Sequence, residues 1–243
     1  KPKSKGKELE LRDYQLNAIQ HALSNHRGML VSPTASGKSL IIYALIRFYH
    51  YLLKDKKILI LVPTTSLVEQ MYSDFIDYGW NDKYLHRIYQ GHEKETDKRI
   101  VISTWQSIYK MPKKFFEQFG MVVGDEAHLF KAVSLTKIMS RLENCKYRIG
   151  LTGTLDDSKT HKLVLEGLFG AVNKIVSTTE LQEKEHLAKL KIHCLVLQHE
   201  KMSIDFLRGK TYQEEMDFLV SNTKRNKYIR NLCLGLKGNS LCL

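Results

Sequence analysis

Gly37, Lys38 and Ser39, together with the adjacent acids Asp125 and Glu126, are the residues whose types and spacing suit phosphate chemistry. The stretch Val31 to Ser39 reads V-S-P-T-A-S-G-K-S, with an apolar run before Ser32-Pro33 and a helical apolar pattern after Gly37. Strand, loop and helix in that order turn backbone N–H groups and a helix N-terminus toward an anion. Lys38 adds a cation at the β- and γ-phosphates of a nucleoside triphosphate, and the Ser39 hydroxyl is a ligand for Mg²⁺. Pro33, Thr34, Ala35, Ser36 and Gly37 make up the rest of the cradle. The general pattern G-x-x-x-x-G-K-[ST] has Gly where this chain has Ser32, and a lone G-K-S triplet also suits a turn that caps a helix.

Asp125 and Glu126 follow the apolar run Met121-Val122-Val123, so both carboxylates leave the C-terminal edge of a buried strand. A carboxylate there reaches Mg²⁺ held near Ser39, which is the role expected of Asp125. Glu126 is then placed to orient or deprotonate an attacking water. Capping of the following helix is the plainer role for such a pair. Yet the tetrapeptide Asp-Glu-Ala-His arises by chance in about one chain of this length per thousand, which favours the catalytic role.

The elements that must position these groups follow from periodicity. Helical spacing covers Leu9 to Ser24, with Asp13 as its cap, and a helix is expected from Lys38 to about Tyr51. Lys57 to Val62 reads as a strand ended by Pro63, and Thr64-Thr65-Ser66 starts the next helix. Further strands fall at His86 to Tyr89, Arg99 to Ser103, Met121 to Val123 and Tyr147 to Leu151. The alternation predicts an α/β fold, a mainly parallel sheet between helices, with its ligand at the strand C-terminal ends. Past Ser177 a polar helix, a strand at Lys191 to Leu197, helices at Tyr212 to Leu219 and Thr223 to Leu236, and an apolar end at Ser240 to Leu243 read as the start of a second α/β unit. The expected boundaries are a basic flexible tail over 1–8, a first domain over 9–178 and the second unit over 179–243.

The 243 residues carry a formal charge of +12 and a pI near 9.4, a balance that favours a polyanionic partner such as nucleic acid. Lys1, Lys3, Lys5 and Lys7 read as a solvated segment following something upstream. No apolar run approaches the ~18 residues of a bilayer span, and the start lacks a signal peptide's apolar core, so an intracellular, cytoplasmic protein is expected. Cys145, Cys194, Cys233 and Cys242 include no C-x-x-C pair, which points to reduced thiols rather than to zinc or a disulfide framework.

Taken in order, these segments resemble the motifs of superfamily 2 helicases and translocases. Arg12-Asp13-Tyr14-Gln15 resembles the Q motif, Pro33 to Ser39 motif I, and Leu61-Val-Pro-Thr-Thr-Ser-Leu-Val-Glu-Gln70 motif Ia. Ile102-Ser-Thr-Trp-Gln-Ser107 resembles motif Ib, Asp125-Glu126-Ala127-His128 the DEAH box, and Leu151-Thr-Gly-Thr154 motif III. Within the superfamily the sequence is most similar to the phage recombination and repair helicases, with the XPB-like and RecG-like translocases as relatives.

The resemblance implies a RecA-like domain that hydrolyses ATP with Mg²⁺, using Lys38, Asp125 and Glu126. Arg12 and Gln15 would hold the base, Gln15 reading the adenine edge, while residues 33–39 hold the phosphates, and Ser39 and Asp125 the metal. Thr64, Thr65, Ser103, Thr104 and Gln106 match positions that grip one nucleic-acid strand by its phosphates, contacts largely indifferent to base sequence. His128, Thr152 and Thr154 match a relay to a second domain; Trp105, starting a short helix, is expected in the core. The implied partners are branched or single-stranded DNA, or RNA–DNA hybrids, bound by a monomer acting in recombination or repair.

Two alternatives stand beside that reading: a duplex translocase subunit of a restriction or remodelling complex, and an ATP-switched annealing protein, which would not need Glu126. Two departures are visible. Ala35 stands where the family has Gly, which asks that position to accept a Cβ. Motifs IV to VI are not found after Lys191, and Arg208, Arg225 and Arg230 do not form the family's arginine-rich segment, so an incomplete second domain with little turnover of its own is expected.

Overall fold

A strand whose successive side chains are all apolar has no face for water and must be covered on both sides. The central strands here are of that kind. In the computed structural model, which describes residues 2–4, 6–130, 132–155, 159–188 and 193–238, the chain divides into two compact units, Lys1–Lys189 and Leu190–Leu243.

The first unit opens with β1 (Lys3–Ser4), β2 (Lys7–Glu8), α1 (Asp13–Asn25), β3 (Arg27–Val31), α2 (Lys38–Leu52), β4 (Lys57–Val62) and α3 (Thr65–Asp77). It continues through β5 (Leu85–Ile88), β6 (Ile100–Thr104), α4 (Trp105–Ile108), α5 (Lys113–Phe116), β7 (Phe119–Gly124), α6 (Ala132–Arg141), β8 (Tyr147–Thr152), α7 (Lys159–Phe169), β9 (Val172–Lys174) and α8 (Thr178–Glu183). Seven strands form one sheet in the order β5-β6-β4-β7-β8-β3-β9, and every neighbouring pair is parallel.

Alternation along β4 shows how the faces are filled. Ile58, Ile60 and Val62 join Ile41, Leu45, Val68 and Phe75 of α2 and α3 in one cluster. Leu59 and Leu61 join Ile108, Phe116, Ile138 and Leu165 in the other. The parallel sheet of the sequence reading is therefore present, and its strand C-terminal ends carry the phosphate loop and the acids.

Three local expectations differ from the structure. Asp13 is the first residue of α1 rather than its cap; Arg12 precedes it, and its N–H is bonded to Gln15 Oε1 at 3.0 Å. The basic start is not a loose tail, since β1 and β2 pair as an antiparallel hairpin. It is tied down by Lys3 N–H to the Tyr78 carbonyl at 3.3 Å and by Ser4 Oγ to Asp77 at 2.9 Å. In the second unit, 193–200 form no regular element before α9 (Lys201–Leu207), α10 (Tyr212–Ser221) and α11 (Thr223–Gly235). The start of the expected strand, at 191–192, and the apolar end at 240–243 lie outside the described residues. Among the described residues no helix is long and apolar enough to cross a membrane.

Candidate nucleotide site

β3 ends at Val31, and the loop that follows is closed by its own hydroxyls. Ser32, in the place of the pattern's Gly, donates from Oγ to Ser36 Oγ at 2.7 Å, both side chains being buried. Ala35 and Gly37 take left-handed conformations, with φ of 63° and 80°. Ala35 thus keeps the backbone shape that glycine would adopt freely, at a cost of about 1–2 kcal/mol. Gly37 precedes α2 and makes no side-chain cap; the Leu40 and Ile41 amides bond to the Gly37 carbonyl, and those of Lys38 and Ser39, ahead of them in the first turn, suit an anion.

Behind the loop stands α1. Tyr14 OH and Gln15 Nε2 both donate to the Ser36 carbonyl, at 2.8 and 3.0 Å, and Arg12 Nη1 donates to Tyr14 OH at 3.0 Å. Gln15 is buried, its oxygen on Arg12 N–H and its nitrogen on the loop. A Cβ at Gly37 would fall 2.5 Å from that nitrogen, so the two residues fit only because one is glycine. Arg12 and Gln15 therefore brace the cradle from behind in this structure.

The acids arrive from β7. Asp125 N–H extends the sheet by donating to the Leu61 carbonyl at 2.8 Å. Burial, then the charge of Glu126, pushes the Asp125 carboxyl up to about 6, against the pull of Lys38. Glu126 is left-handed (φ 47°, ψ 47°), a conformation that non-glycine residues hold only when their surroundings enforce it. Its carboxylate meets Lys38 Nζ at 3.0 Å, the Gly153 N–H at 3.3 Å and His128 Nδ1 at 3.5 Å. Thr152 Oγ1 donates to the Thr154 carbonyl at 2.6 Å. With its hydrogen so placed, it accepts from His128 Nδ1, also at 2.6 Å, which puts the ring hydrogen on Nδ1.

Lys38, Ser39, Asp125 and Glu126, with Thr34, Ala35 and Gly37, line one cavity of about 310 Å³. Pro33 faces a separate hollow with Gly153 and Ile175. The fourth wall is α3, through Leu67, Gln70, Met71 and Asp74, none of which the motif reading assigned to the nucleotide. Their spacing of three and four residues would have placed them on one helical face. Ser39 Oγ lies 2.9 Å from Tyr78 OH, and the Asp74 carboxyl, whose proton affinity burial raises, lines the same cavity. A hydroxyl and a buried carboxylate are hard oxygen donors that fit Mg²⁺, and the uncapped amides with Lys38 fit phosphate.

The five residues matched to nucleic-acid contact divide. Thr64 and Thr65 are exposed at the start of α3, where Thr64 Oγ1 accepts the Leu67 N–H at 3.3 Å. Gln106, also exposed, donates to the Pro63 carbonyl at 3.2 Å and so joins the ends of β4 and β6. Ser103 is wholly buried, with its hydroxyl on the Ile88 and Thr104 carbonyls. Thr104 is nearly so, paired with Ser107 at 2.8 Å. Trp105 packs in the core.

Residues 8–157 match the family Type III restriction enzyme, res subunit. The ATP-dependent DNA helicase uvsW of Enterobacteria phage T4 is 40% identical over 240 residues, 96% of this chain and 47% of that protein. The DNA 3'-5' translocase XPB2 of Sulfurisphaera tokodaii is 32% identical over 218 residues, 88% of this chain and 46% of that protein. The crystal structure of the UvsW helicase from bacteriophage T4 matches with a TM-score of 0.65 at 39% identity, over 71% of this chain and 63% of that one. The chain spans about half the length of the two relatives, and within that span the matched residues hold the cradle and both acids. It belongs to the type III restriction enzyme res subunit family, among the superfamily 2 helicases.

Proposed function

We propose that this chain carries the ATP·Mg²⁺ site of a superfamily 2 DNA helicase or translocase, with Asp125 to His128 as its DEAH box, working in recombination or repair. The observation that carries the reading is the convergence of Lys38, Ser39, Asp125 and Glu126 on one cavity at the sheet's C-terminal edge. ATP·Mg²⁺ bound there would supply the scissile γ-phosphate bond and a divalent charge to offset that of the phosphates. Loop amides and Lys38 would hold the phosphates, and Ser39 and Asp125 would hold the metal. Once Lys38 turns to phosphate, Glu126 loses its strongest partner and is free to orient a water and accept its proton. His128 and Thr152 pass that change toward the surface, and exposed Thr64, Thr65 and Gln106 grip nucleic acid by phosphate, in single-stranded or branched DNA.

The test is equilibrium binding of ATP·Mg²⁺ to wild type and to Lys38→Ala. Loss of a charge-assisted contact worth about 1.5–3 kcal/mol predicts roughly 10- to 100-fold weaker binding. Equal affinity would overturn the assignment of the loop. The family's name and the XPB2 similarity favour a second reading, translocation along duplex without strand separation. Triplex displacement by a protein that leaves a forked duplex unopened would select it.

A further inference from the structure

Both ends of α2 line cavities. Its first residues, Lys38 and Ser39, face the nucleotide site, while Arg47, His50 and Tyr51 in its last turns line a second hollow of about 370 Å³ with Trp80, Asn81 and Tyr84. The helix rises about 18 Å between Lys38 and His50. Arg99, just before β6, donates to the Leu53 and Lys56 carbonyls past the end of α2, which puts the hollow at the sheet's N-terminal edge. Thr64, Thr65 and Gln106 stand at the opposite edge, where β4 and β6 end.

The hollow is built from rings and cations. His50 meets Trp80 and Tyr84 edge-on, with centroids 5.5 and 5.1 Å apart. Trp80 is seated against the buried rings of Tyr43 and Phe75, at 5.5 and 5.8 Å, so this corner is anchored in the core. Tyr51, by contrast, is 84% exposed and packs on no ring among the described residues. Lys83 Nζ lies 4.9 Å from the centre of the Tyr84 ring, and among the described residues no side chain lining the hollow is acidic.

The β1–β2 hairpin shares the rim. Arg47 Nη1 donates to Tyr43 OH at 3.1 Å, and the Tyr78 carbonyl accepts both Tyr43 OH at 2.8 Å and Lys3 N–H at 3.3 Å. Lys3 and Lys7 are exposed, and Lys98 Nζ donates to the Asp82 carbonyl at 3.1 Å. Arg47, Lys83, Lys98, Lys3 and Lys7 outnumber Asp77 and Asp82 beside them and Glu8 of the hairpin. Excess positive charge around flat rings suits a polyanion with flat units. A duplex keeps its base faces stacked inside, so an unpaired strand is the form that can use these rings.

We propose that this hollow holds a base of a single nucleic-acid strand, stacked on Tyr51 and Trp80, with the flanking phosphates on Arg47, Lys83 and the hairpin lysines. It is a second strand contact, at the far edge of the sheet from Thr64, Thr65 and Gln106. The proposal does not depend on the ATP reading, since strand binding can be measured without nucleotide.

The experiment titrates a short labelled oligothymidylate with the whole chain in the absence of ATP. Tyr51→Ala is expected to weaken binding about 5-fold or more, the loss of one stacked base, and Tyr51→Phe to restore it, because stacking needs the ring and not the hydroxyl. On the wild-type chain, a strand carrying 4-thiothymidine should photo-crosslink to Tyr51, Trp80 or Tyr84. Wild-type affinity in Tyr51→Ala, or a loss that Tyr51→Phe does not reverse, overturns the proposal. So do crosslinks confined to other surfaces, although crosslinks at Thr64, Thr65 and Gln106 alone would support the strand grip proposed above. Binding of a poly(Glu,Tyr) copolymer by a chain that ignores oligothymidylate would give the hollow to an acidic protein segment instead.

Discussion

Lys38 Nζ and Glu126 Oε1 stand 3.0 Å apart, so on the ATP reading the acid and a phosphate would compete for the loop's one cation. Glu126→Gln removes the charge that competes with phosphate for Lys38. ATP·Mg²⁺ binding should therefore be retained or tightened, while hydrolysis by the active protein falls by about 10²-fold or more, as for loss of a general base. Binding and turnover measured on the same preparation decide it; joint loss would make Glu126 structural.

Gln15 bonds to the Ser36 carbonyl, and that contact predicts an effect independent of the base. Gln15→Ala should weaken binding of inorganic tripolyphosphate as well as of ATP. A residue that only read adenine would leave the tripolyphosphate titration unchanged.

Ala35 and Gly37 share a left-handed backbone but predict opposite signs. Ala35→Gly relieves about 1–2 kcal/mol of strain against roughly 0.5–1 kcal/mol of lost chain entropy, so Tm should rise slightly. Gly37→Ala drives a Cβ to 2.5 Å from the pinned Gln15 nitrogen, and Tm and ATP affinity should both fall. Thermal melts of the two variants side by side would expose an error in either conformation.

His50 carries a pH signature. Its ring packs edge-on to Trp80 and Tyr84, and its buried Nδ1 has no hydrogen-bond partner among the described residues. Burial first, and the Arg99 charge second, hold its proton affinity below the ordinary 6.5; Arg47 lies beside it in the same surface hollow. As pH falls through that value the unfolded chain takes the proton first, so stability is full above it and declines below. Between about pH 7.5 and about pH 5.5 the drop in Tm should be smaller in His50→Gln than in wild type. Identical slopes would remove His50 from the account.

How much of this was legible in the sequence varies with the kind of interaction. Pro63 and Thr64 marked the end of β4 and the cap of α3, because ring geometry and a capping hydroxyl act locally. Lys38, Ser39, Asp125 and Glu126 were readable as a set because their chemistry is distinctive in combination. Asp74 was not: a single acid on an amphipathic helix looks like a solvated position until the fold turns that edge toward Ser39. Ser103 matched a position that grips nucleic-acid phosphates, yet β5 pairing beside β6 encloses it. The lysine-rich start hid a hairpin, since backbone pairing leaves no mark on charge composition. The apolar run at 195–197 has no described strand within its own unit to pair with, and an isolated strand cannot persist.

The strand order places β8 between β3 and β7, and this sets a length requirement. Two strand spacings, about 10 Å, separate the strand that delivers the cation from the strand that delivers the acid. Only long arms span that gap, and the side chains of Lys38 and Glu126 meet over the end of β8. Gly153 lies under the junction, where a Cβ would come within 3.6 Å of Lys38 Nζ and Thr34 Oγ1. Glu126→Asp would keep the charge but shorten one arm of this caliper by a methylene, so the geometry distinguishes two acids that composition treats as equivalent.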